Sequence, residues 1–425
     1  MTRHSAIAVD MPAVEPADDH IAPVPRVSIQ AFCEGHEVGA AVAAAAEDRR
    51  MAKAHLKVQA GGIAAALEAY RGAPTPNVII IEHSGSRTEL LDGLDRLAEC
   101  CDLGTKLVVV GRLNDVQLYR ELTRRGVSDY LIAPVGSLDV VRAVSGVFAA
   151  PDAEPVGRTL AVVGAKGGVG SSTVAHNIAW AIARDIVIDT VVVDLDLPFG
   201  TAGLDYNQDP PQGVADAIFA PERVDSAFVD RLLSKCADHL SVLAAPATLE
   251  RTYDIDAEAP DPMLDVLRTS VPWIVLDIPH LWTGWAKRAL ISADHILIVA
   301  TPDLASLRNA KNLIDLIRAA RPNDRPPYYM LNQVGVPKRP EIRAADFAKA
   351  LETAPVVSMP FEPQLFGAAA NNGQMIAEVD AKHRVTEIFR QLAQTITGKT
   401  DSRKSRGSSL LTPLLEKMRA KLAKS

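Results

Sequence analysis

Two stretches of the chain alternate short apolar runs with longer amphipathic segments, the pattern of alternating strands and helices. The first extends from Val27 to about Phe148, and the second from Arg158 to about Thr397. The strand-length runs of the first stretch are VSIQAFCE, NVIIIEH, KLVVVGR and VSDYLIAP. Those of the second include TLAVVG, TVVVD, WIVLD, HILIVA and YYMLNQV. This alternation predicts parallel sheets covered by helices on both faces, so we expect an α/β protein with two three-layer αβα domains.

Changes in composition divide the chain into five predicted segments. Residues 1–26 carry four prolines and no periodicity, which predicts a disordered leader. A first domain over 27–150 is followed by a proline-rich and acidic linker over 151–157. A second domain covers 158–397. Residues 398–425 contain eight Lys and Arg against two acids, which predicts a basic tail that ends in a short amphipathic helix.

Composition and charge exclude several classes of protein. The chain has 425 residues, a formal net charge of −7 and four cysteines without metal-ligand spacing. We find no apolar signal-peptide core after Met1 and no apolar run near the ~20 residues that span a bilayer. These features favour a cytoplasmic protein and give no global reason to bind nucleic acid. The predicted tail helix could make a peripheral contact with a membrane surface, such as the inner membrane, or could pack on the protein itself.

A glycine-rich loop carries the strongest chemical signal. It lies in TLAVVGAKGGVGSSTVAHNIAWAIA, between an apolar strand and an Ala-rich helix. Backbone N–H groups of such a loop converge on phosphate oxygens, and the helix N-terminus adds its positive dipole end. A hydroxyl residue at the start of the helix is the usual Mg²⁺ ligand of a phosphate-binding loop. The predicted nucleotide-binding residues here are Gly164, Lys166, Gly167, Gly168, Val169, Gly170, Ser171, Ser172 and Thr173, with Ser172 as a metal ligand.

Acidic residues follow two later strands at the edge of the sheet where ligands bind. Asp194 and Asp196 end TVVVDLD, and Asp277 ends WIVLD. We expect the three carboxylates to converge on the phosphate loop for metal and water handling, with Asp194 and Asp277 as metal ligands; buried structural carboxylates are the alternative. Asn332, at the end of YYMLNQV, is placed where a side-chain amide could contact an adenine edge.

This arrangement resembles the MinD/ParA group of P-loop ATPases, whose deviant Walker A motif reads KGGxGK[ST][ST]. The resemblance covers about 240 residues and implies ATP and Mg²⁺ as cofactors and a homodimer that encloses nucleotide. It implies that Lys166 reaches the partner's phosphates, that Asp196 helps to position the attacking water, and that Asp277 is the Walker B carboxylate. The motif departs from the family at Ser171, which replaces the P-loop lysine, so the sequence leaves open whether ATP is hydrolysed at a useful rate.

The first domain resembles the receiver domain of response regulators, a flavodoxin-like fold, most specifically in GVSDYLIAPV. Its phosphoryl-transfer residues are largely missing. Glu82 stands in place of the phospho-accepting Asp, Gly111 in place of the hydroxyl residue, and Ala133 in place of the Lys. We therefore expect a degenerate receiver that serves protein contacts. For Glu82 we favour a solvated loop carboxylate over a mimic of a charged Asp.

A degenerate receiver followed by KGGVGSST is similar to the CpaE/TadZ family. That resemblance implies a role in localising and assembling a Flp (tight-adherence, Tad) pilus secretion apparatus, with pilus proteins and polar localisation factors as partners and weak or slow ATP hydrolysis. Two alternatives remain open: a nucleotide-binding scaffold that does not hydrolyse ATP, and a ParA-like DNA-partitioning ATPase.

Overall fold

A computed structural model describes residues 21–148, 156–246, 248–249 and 252–399. The described residues divide into two compact units. The first unit comprises residues 21–148 together with 321–324, and the second comprises the remaining described residues. Apart from the end of the N-terminal leader, the predicted segment boundaries stay predictions; the linker and the C-terminal tail lie almost wholly outside the described residues.

The first unit is built on a five-stranded parallel sheet. Its strands are β1 Ser28–Cys33, β2 His55–Ala60, β3 Val78–His83, β4 Lys106–Gly111 and β5 Asp129–Ile132. Their order in the sheet is β2-β1-β3-β4-β5, and every pairing is parallel. The α-helices of this unit are α1 His36–Ala46, α2 Gly62–Ala69, α3 Arg87–Ala98, α4 Val116–Arg124 and α5 Ser137–Phe148.

Side chains on both faces of this sheet are buried, which explains the continuous apolar strands. In β3, Val78 and Ile80 belong to one apolar cluster, and Ile79 and Ile81 belong to the other. Successive strand residues point to opposite faces, so one VIII run supplies both layers of the core.

The first unit differs from the sequence prediction in two places. The predicted leader extends too far, because Ile21 and Val24 are buried in the core and the Val24 N–H donates to the Arg50 carbonyl at 2.8 Å. Residues 1–20 of that leader lie outside the described residues. Strand β2 was not predicted; it lies at the edge of the sheet and is largely exposed, so HLKVQA carries no apolar run.

The second unit contains an eight-stranded sheet. Its strands are β6 Arg158–Gly164, β7 Thr190–Asp194, β8 Ser234–Ala237, β9 Leu240–Leu243, β10 Trp273–Ile278, β11 His295–Ala300, β12 Tyr328–Val334 and β13 Val357–Pro360. Their order is β13-β12-β11-β6-β10-β7-β9-β8, and only the edge strand β8 pairs in an antiparallel way. Strand β6 lies at the centre, next to β10, and β7 follows on the far side of β10. The carboxyl ends of these three strands therefore meet at one edge of the sheet.

Helices cover both faces of this second sheet. In β6, Ala161 and Val163 join one apolar cluster while Leu160 and Val162 join the other, which confirms the predicted α/β fold with three layers. The helices are α6 Ser171–Ala181, α7 Ala202–Asp205, α8 Val214–Phe219, α9 Ser226–Leu232, α10 Asp261–Ser270, α11 Gly284–Ser292, α12 Leu304–Ala320, α13 Ala344–Leu351, α14 Pro363–Asn372, α15 Ile376–Val379 and α16 Arg384–Thr397. Within the described ranges, we find no helix with the length and apolarity needed to cross a membrane.

Candidate functional site

In the first unit, buried side chains occupy the region where a receiver would hold its phosphoryl-transfer residues. Glu82 is buried and accepts a hydrogen bond from the Gly35 N–H at 2.8 Å, so the expectation of a solvated loop carboxylate was wrong. A Cβ atom on Gly111 would lie 2.3 Å from the Tyr130 hydroxyl oxygen. That hydroxyl donates to the Leu113 carbonyl at 3.0 Å. Glu82 therefore has a structural contact, and Tyr130 occupies the space beside Gly111.

The phosphate loop of the second unit has a defined backbone conformation. It occupies residues 165–170, between the end of β6 and the start of α6. Gly168 and Gly170 have φ values of +76° and +83°. Side-chain-bearing residues rarely adopt this left-handed region, so both positions require glycine. The loop leads directly into the N-terminus of α6, where unpaired N–H groups favour an anion.

Three side chains from elsewhere in the second unit donate hydrogen bonds to backbone carbonyls of this loop and of the strand residue before it. The amide of Asn332 donates to the Val169 carbonyl at 2.8 Å, and Asn309 donates to the Ala165 carbonyl at 2.8 Å. The His280 ring nitrogen Nδ1 donates to the Gly164 carbonyl at 3.0 Å. Asn332 is buried and contacts the loop itself; contact with an adenine stays a prediction. His280, which precedes α11, thus supports the end of β6 where the loop begins.

Lys166 is partly exposed and forms an ion pair. Its Nζ lies 2.8 Å from Asp303 Oδ2, and Thr301 donates to the same carboxylate oxygen at 2.6 Å. Burial alone would raise the pKa of Asp303, but the hydrogen bonds from Lys166 and Thr301 outweigh burial and lower it to about 2. The lysine is thus held by a carboxylate of its own subunit.

Two of the three predicted carboxylates lie side by side. Asp194 and Asp277 are partners in the β7–β10 register, and both are buried. Burial and the Asp277 carboxylate raise the pKa of Asp194. Both oxygens of Asp194 accept backbone N–H bonds, from Asp196 at 3.1 Å and from Ala202 at 3.0 Å. Asp194 therefore organises the loop that follows β7, and its role as a metal ligand stays a prediction.

The geometry fits a magnesium ion that is bound jointly with phosphate. Across the described ranges, no group of three or more His, Cys, Asp and Glu side chains could hold a metal ion, so the three carboxylates do not converge into a metal cage. Asp196 instead accepts the Phe199 N–H at 3.3 Å. Mg²⁺ commonly takes only one or two carboxylates, with phosphate and water as its other ligands. Asp277 suits this role because its buried Oδ2 has no hydrogen-bond partner, and Ser172 is the second residue of the adjacent helix α6.

Sequence reasoning missed a buried histidine beside this edge. His176 lies in α6 with its side chain fully buried, and its Nδ1 lies 2.7 Å from Asp205 Oδ2. Its Nε2 lies 3.4 Å from Asp277 Oδ2, an ion-pair distance without a formed hydrogen bond. The sequence signal was the polar pair His-Asn within the apolar helix AHNIAWAIA.

We expect Gly170→Ala to lower the melting temperature by several degrees and to weaken ATP binding. An alanine at φ +83° is strained by about 1–3 kcal/mol, and its Cβ would lie 2.8 Å from the Asn332 amide nitrogen. The matched control is Gly367→Ala in α14, because a Cβ there meets no atom within 4 Å and the residue lies outside the phosphate loop. Calorimetry and ATP titration of both variants measure the effect. Equal behaviour of the two variants would contradict the assignment.

Comparisons with known proteins identify the second unit as a MinD-type fold. No protein-family profile matches the chain. The MinD septum site-determining protein of Synechocystis sp. (strain PCC 6803) is 28% identical over 163 residues, which is 38% of this chain and 60% of that protein's length. The MinD structure from Pyrococcus horikoshii OT3, solved in complex with Mg-ADP, is 18% identical with a TM-score of 0.50, covering 56% of this chain and 95% of that one. A solved MinD protein with this fold therefore binds Mg-ADP.

The N-terminal region matches a different solved protein. The pilus assembly protein CpaE from Caulobacter crescentus CB15 is 47% identical, covers 31% of this chain and 100% of the solved chain, and has a TM-score of 0.30. Sequence identity at this level, over the whole of the solved chain, carries the assignment. Joined to a MinD/ParA-type P-loop unit, it shows that the chain belongs to the CpaE family.

Proposed function

We propose that this chain is an ATP- and Mg²⁺-binding switch that dimerises around nucleotide and helps to localise and assemble a Flp/Tad pilus secretion apparatus. The observation that carries the proposal is a phosphate loop with the partly exposed signature Lys166, in a chain whose N-terminal region is 47% identical to a pilus assembly protein. Receiver-like and ATPase domains, with boundaries near 27–150 and 158–397, would divide the work between protein contacts and nucleotide.

The nucleotide edge presents apolar side chains that suit a protein interface. Phe199 is 71% exposed, Trp282 56% and Leu304 71%. They follow β7, β10 and β11 respectively, whose carboxyl ends share the edge with the phosphate loop. Exposed apolar groups around a ligand site are typical of an interaction surface. A second copy of the chain would cover them when both subunits enclose ATP.

Each residue of the site has a definite task under this proposal. Backbone N–H groups of residues 167–173 would hold the phosphates, and Ser172 and Asp277 would hold Mg²⁺, which neutralises phosphate charge when bound. Lys166 would leave Asp303 and contact the phosphates of the partner subunit. Asp196 would orient the attacking water. Since Ser171 supplies no cation, we expect hydrolysis to be slow.

The absence of a cation at Ser171 also favours a second candidate, a scaffold that binds ATP without hydrolysing it. Sedimentation of the purified full chain with and without Mg·ATP, combined with phosphate release, tests both functions. We expect an ATP-dependent dimer with slow release of phosphate. Dimerisation without any release would support the scaffold, and an ATP-insensitive monomer would reject the switch.

The proposed function predicts where the protein lies in the cell. A fluorescent fusion is expected to concentrate at a cell pole, at the inner face of the membrane, and to disperse when Lys166 is replaced. Residues 400–425, which include the predicted tail helix, lie outside the described residues, so membrane contact through them stays a prediction. Loss of binding to anionic liposomes after deletion of 408–425 would support it, and unchanged binding would reject it.

A further inference from the structure

The function proposed for the nucleotide site assigns no role to one buried histidine that lies between two carboxylates. His176 belongs to the second turn of α6, five residues after Ser171. Its two ring nitrogens face Asp205, at 2.7 Å, and Asp277, at 3.4 Å. An imidazole in this position connects the candidate magnesium ligand Asp277 to a helix that follows the loop of Asp196.

Packing alone does not account for a histidine at this position. Its helical neighbours Val174, Ala175, Ile178 and Ala179 are all buried and apolar, and an apolar side chain would fill the same space. Burial of an imidazole without partners is unfavourable. In the structure each ring nitrogen faces a carboxylate oxygen, Asp205 Oδ2 at 2.7 Å and Asp277 Oδ2 at 3.4 Å. The two carboxylates are therefore the partners that make the site favourable.

The contacts of His176 complete a continuous series of contacts that runs from Asp277 through Asp194 and α7 and back to Asp277. Asp277 and Asp194 are neighbours in the sheet. Asp194 accepts the N–H of Ala202, the first residue of α7, at 3.0 Å. Asp205, the last residue of α7, faces His176, which returns to Asp277. The loop over 196–201 is thereby held at both ends.

We propose that His176 is a positioning residue for magnesium: by holding Asp277 and the end of α7, it fixes the carboxylate and the Asp196 loop in the places that Mg·ATP requires. The proposal rests on the proposed nucleotide site. Partners of metal-binding side chains act in this way, and their loss typically lowers metal affinity about 10–100-fold. A purely structural histidine would affect ATP binding equally with and without metal.

The test measures how strongly Mg²⁺ tightens ATP binding to the purified full chain. We define the magnesium ratio as the ATP dissociation constant in EDTA divided by the constant in Mg²⁺. His176→Phe is expected to lower this ratio about tenfold or more while the affinity for metal-free ATP stays within about twofold of the wild type. Asp205→Ala breaks the same connection from a less buried position, so it decides the question if His176→Phe does not fold.

Two further variants test whether the imidazole and Asp205 act through one connection. Tyr206→Phe removes a bond of 2.8 Å from the tyrosine hydroxyl to the His176 carbonyl and leaves the imidazole in place, so its ratio should match the wild type. The double variant of His176 and Asp205 should be no worse than either single variant, because both act through one connection. Wild-type protein that binds no ATP would reject the nucleotide site. Variants that keep the wild-type ratio would reject this role of His176 while the nucleotide site stands.

Discussion

Replacing Lys166 by alanine is expected to abolish the ATP-dependent dimer. Under the proposed function, Lys166 would be the cation that the phosphate loop presents to a partner, because Ser171 stands at the usual P-loop lysine position. Without Lys166, the phosphates of each subunit would face an interface that lacks their counter-charge. Coupling between ATP and dimerisation is reciprocal, so the same variant should also lose the tightening of ATP that dimerisation brings. Sedimentation with and without Mg·ATP measures the first effect, and ATP titration at low and high protein concentration measures the second.

Asp303 supplies the matched variant for this experiment. Lys166 must leave Asp303 before it can contact a partner's phosphate, so Asp303→Asn is expected to tighten the dimer. Asparagine suits the position because Asp303 also accepts the Ser306 N–H at the start of α12, at 2.9 Å, and asparagine is an equally good N-cap. An ATP-dependent dimer that persists in Lys166→Ala would remove the lysine from the interface. A weaker dimer in Asp303→Asn would show that the ion pair assists assembly.

Replacing Ser171 by lysine is expected to tighten ATP binding by about 10–100-fold. A charge-assisted hydrogen bond contributes about 1.5–3 kcal/mol, and each 1.4 kcal/mol is a factor of ten in affinity. Position 171 begins α6, directly after the loop glycine Gly170, so an ammonium group there can reach the phosphates of its own subunit. Hydrolysis should rise as well, because phosphate charge would be balanced before a partner arrives. Isothermal titration with ATP and phosphate release measure the two effects.

The uncharged control for this variant is Ser171→Met, which has a side chain of similar length. If the ammonium charge is the cause, the methionine variant should bind ATP no better than the wild type. Equal gains in both variants would attribute the effect to packing. An unchanged affinity in Ser171→Lys would show that the loop already balances the phosphate charge without a lysine.

Apolar strand runs were sufficient to predict most of both sheets. Strands β6, β7, β10, β11 and β12 are buried on both faces, so their sequences are almost uninterruptedly apolar. The strands that escaped prediction are short or lie at an edge. SKCA and VSMP have four residues each, and LSVL of β9 is equally short. An edge strand has one neighbour and few buried positions, so its residues carry little of the pattern that reveals a strand.

The residues of the candidate site were also predicted only in part from the sequence. Spacing in the sequence predicted the phosphate loop and its acidic strand ends, because these residues follow strands whose carboxyl ends meet. It did not predict Asn309, which contacts the loop from a helix 144 residues away, or His280, which lies 116 residues away. The family resemblance gave Asp196 the role of positioning the attacking water, which stays a prediction; in the structure its carboxylate accepts the Phe199 N–H. Such contacts depend on tertiary packing, which a single sequence does not record.

The packing around Glu82 and Gly111 limits the substitutions that the first unit can accept. A hydroxyl residue at position 111 would collide with the ring of Tyr130, and an aspartate at position 82 would be one methylene too short to keep the bond to the Gly35 N–H. Each single substitution towards the phosphoryl-transfer pattern of receivers therefore costs folding stability. Restoring that pattern would require compensating substitutions at Tyr130 and near Gly35.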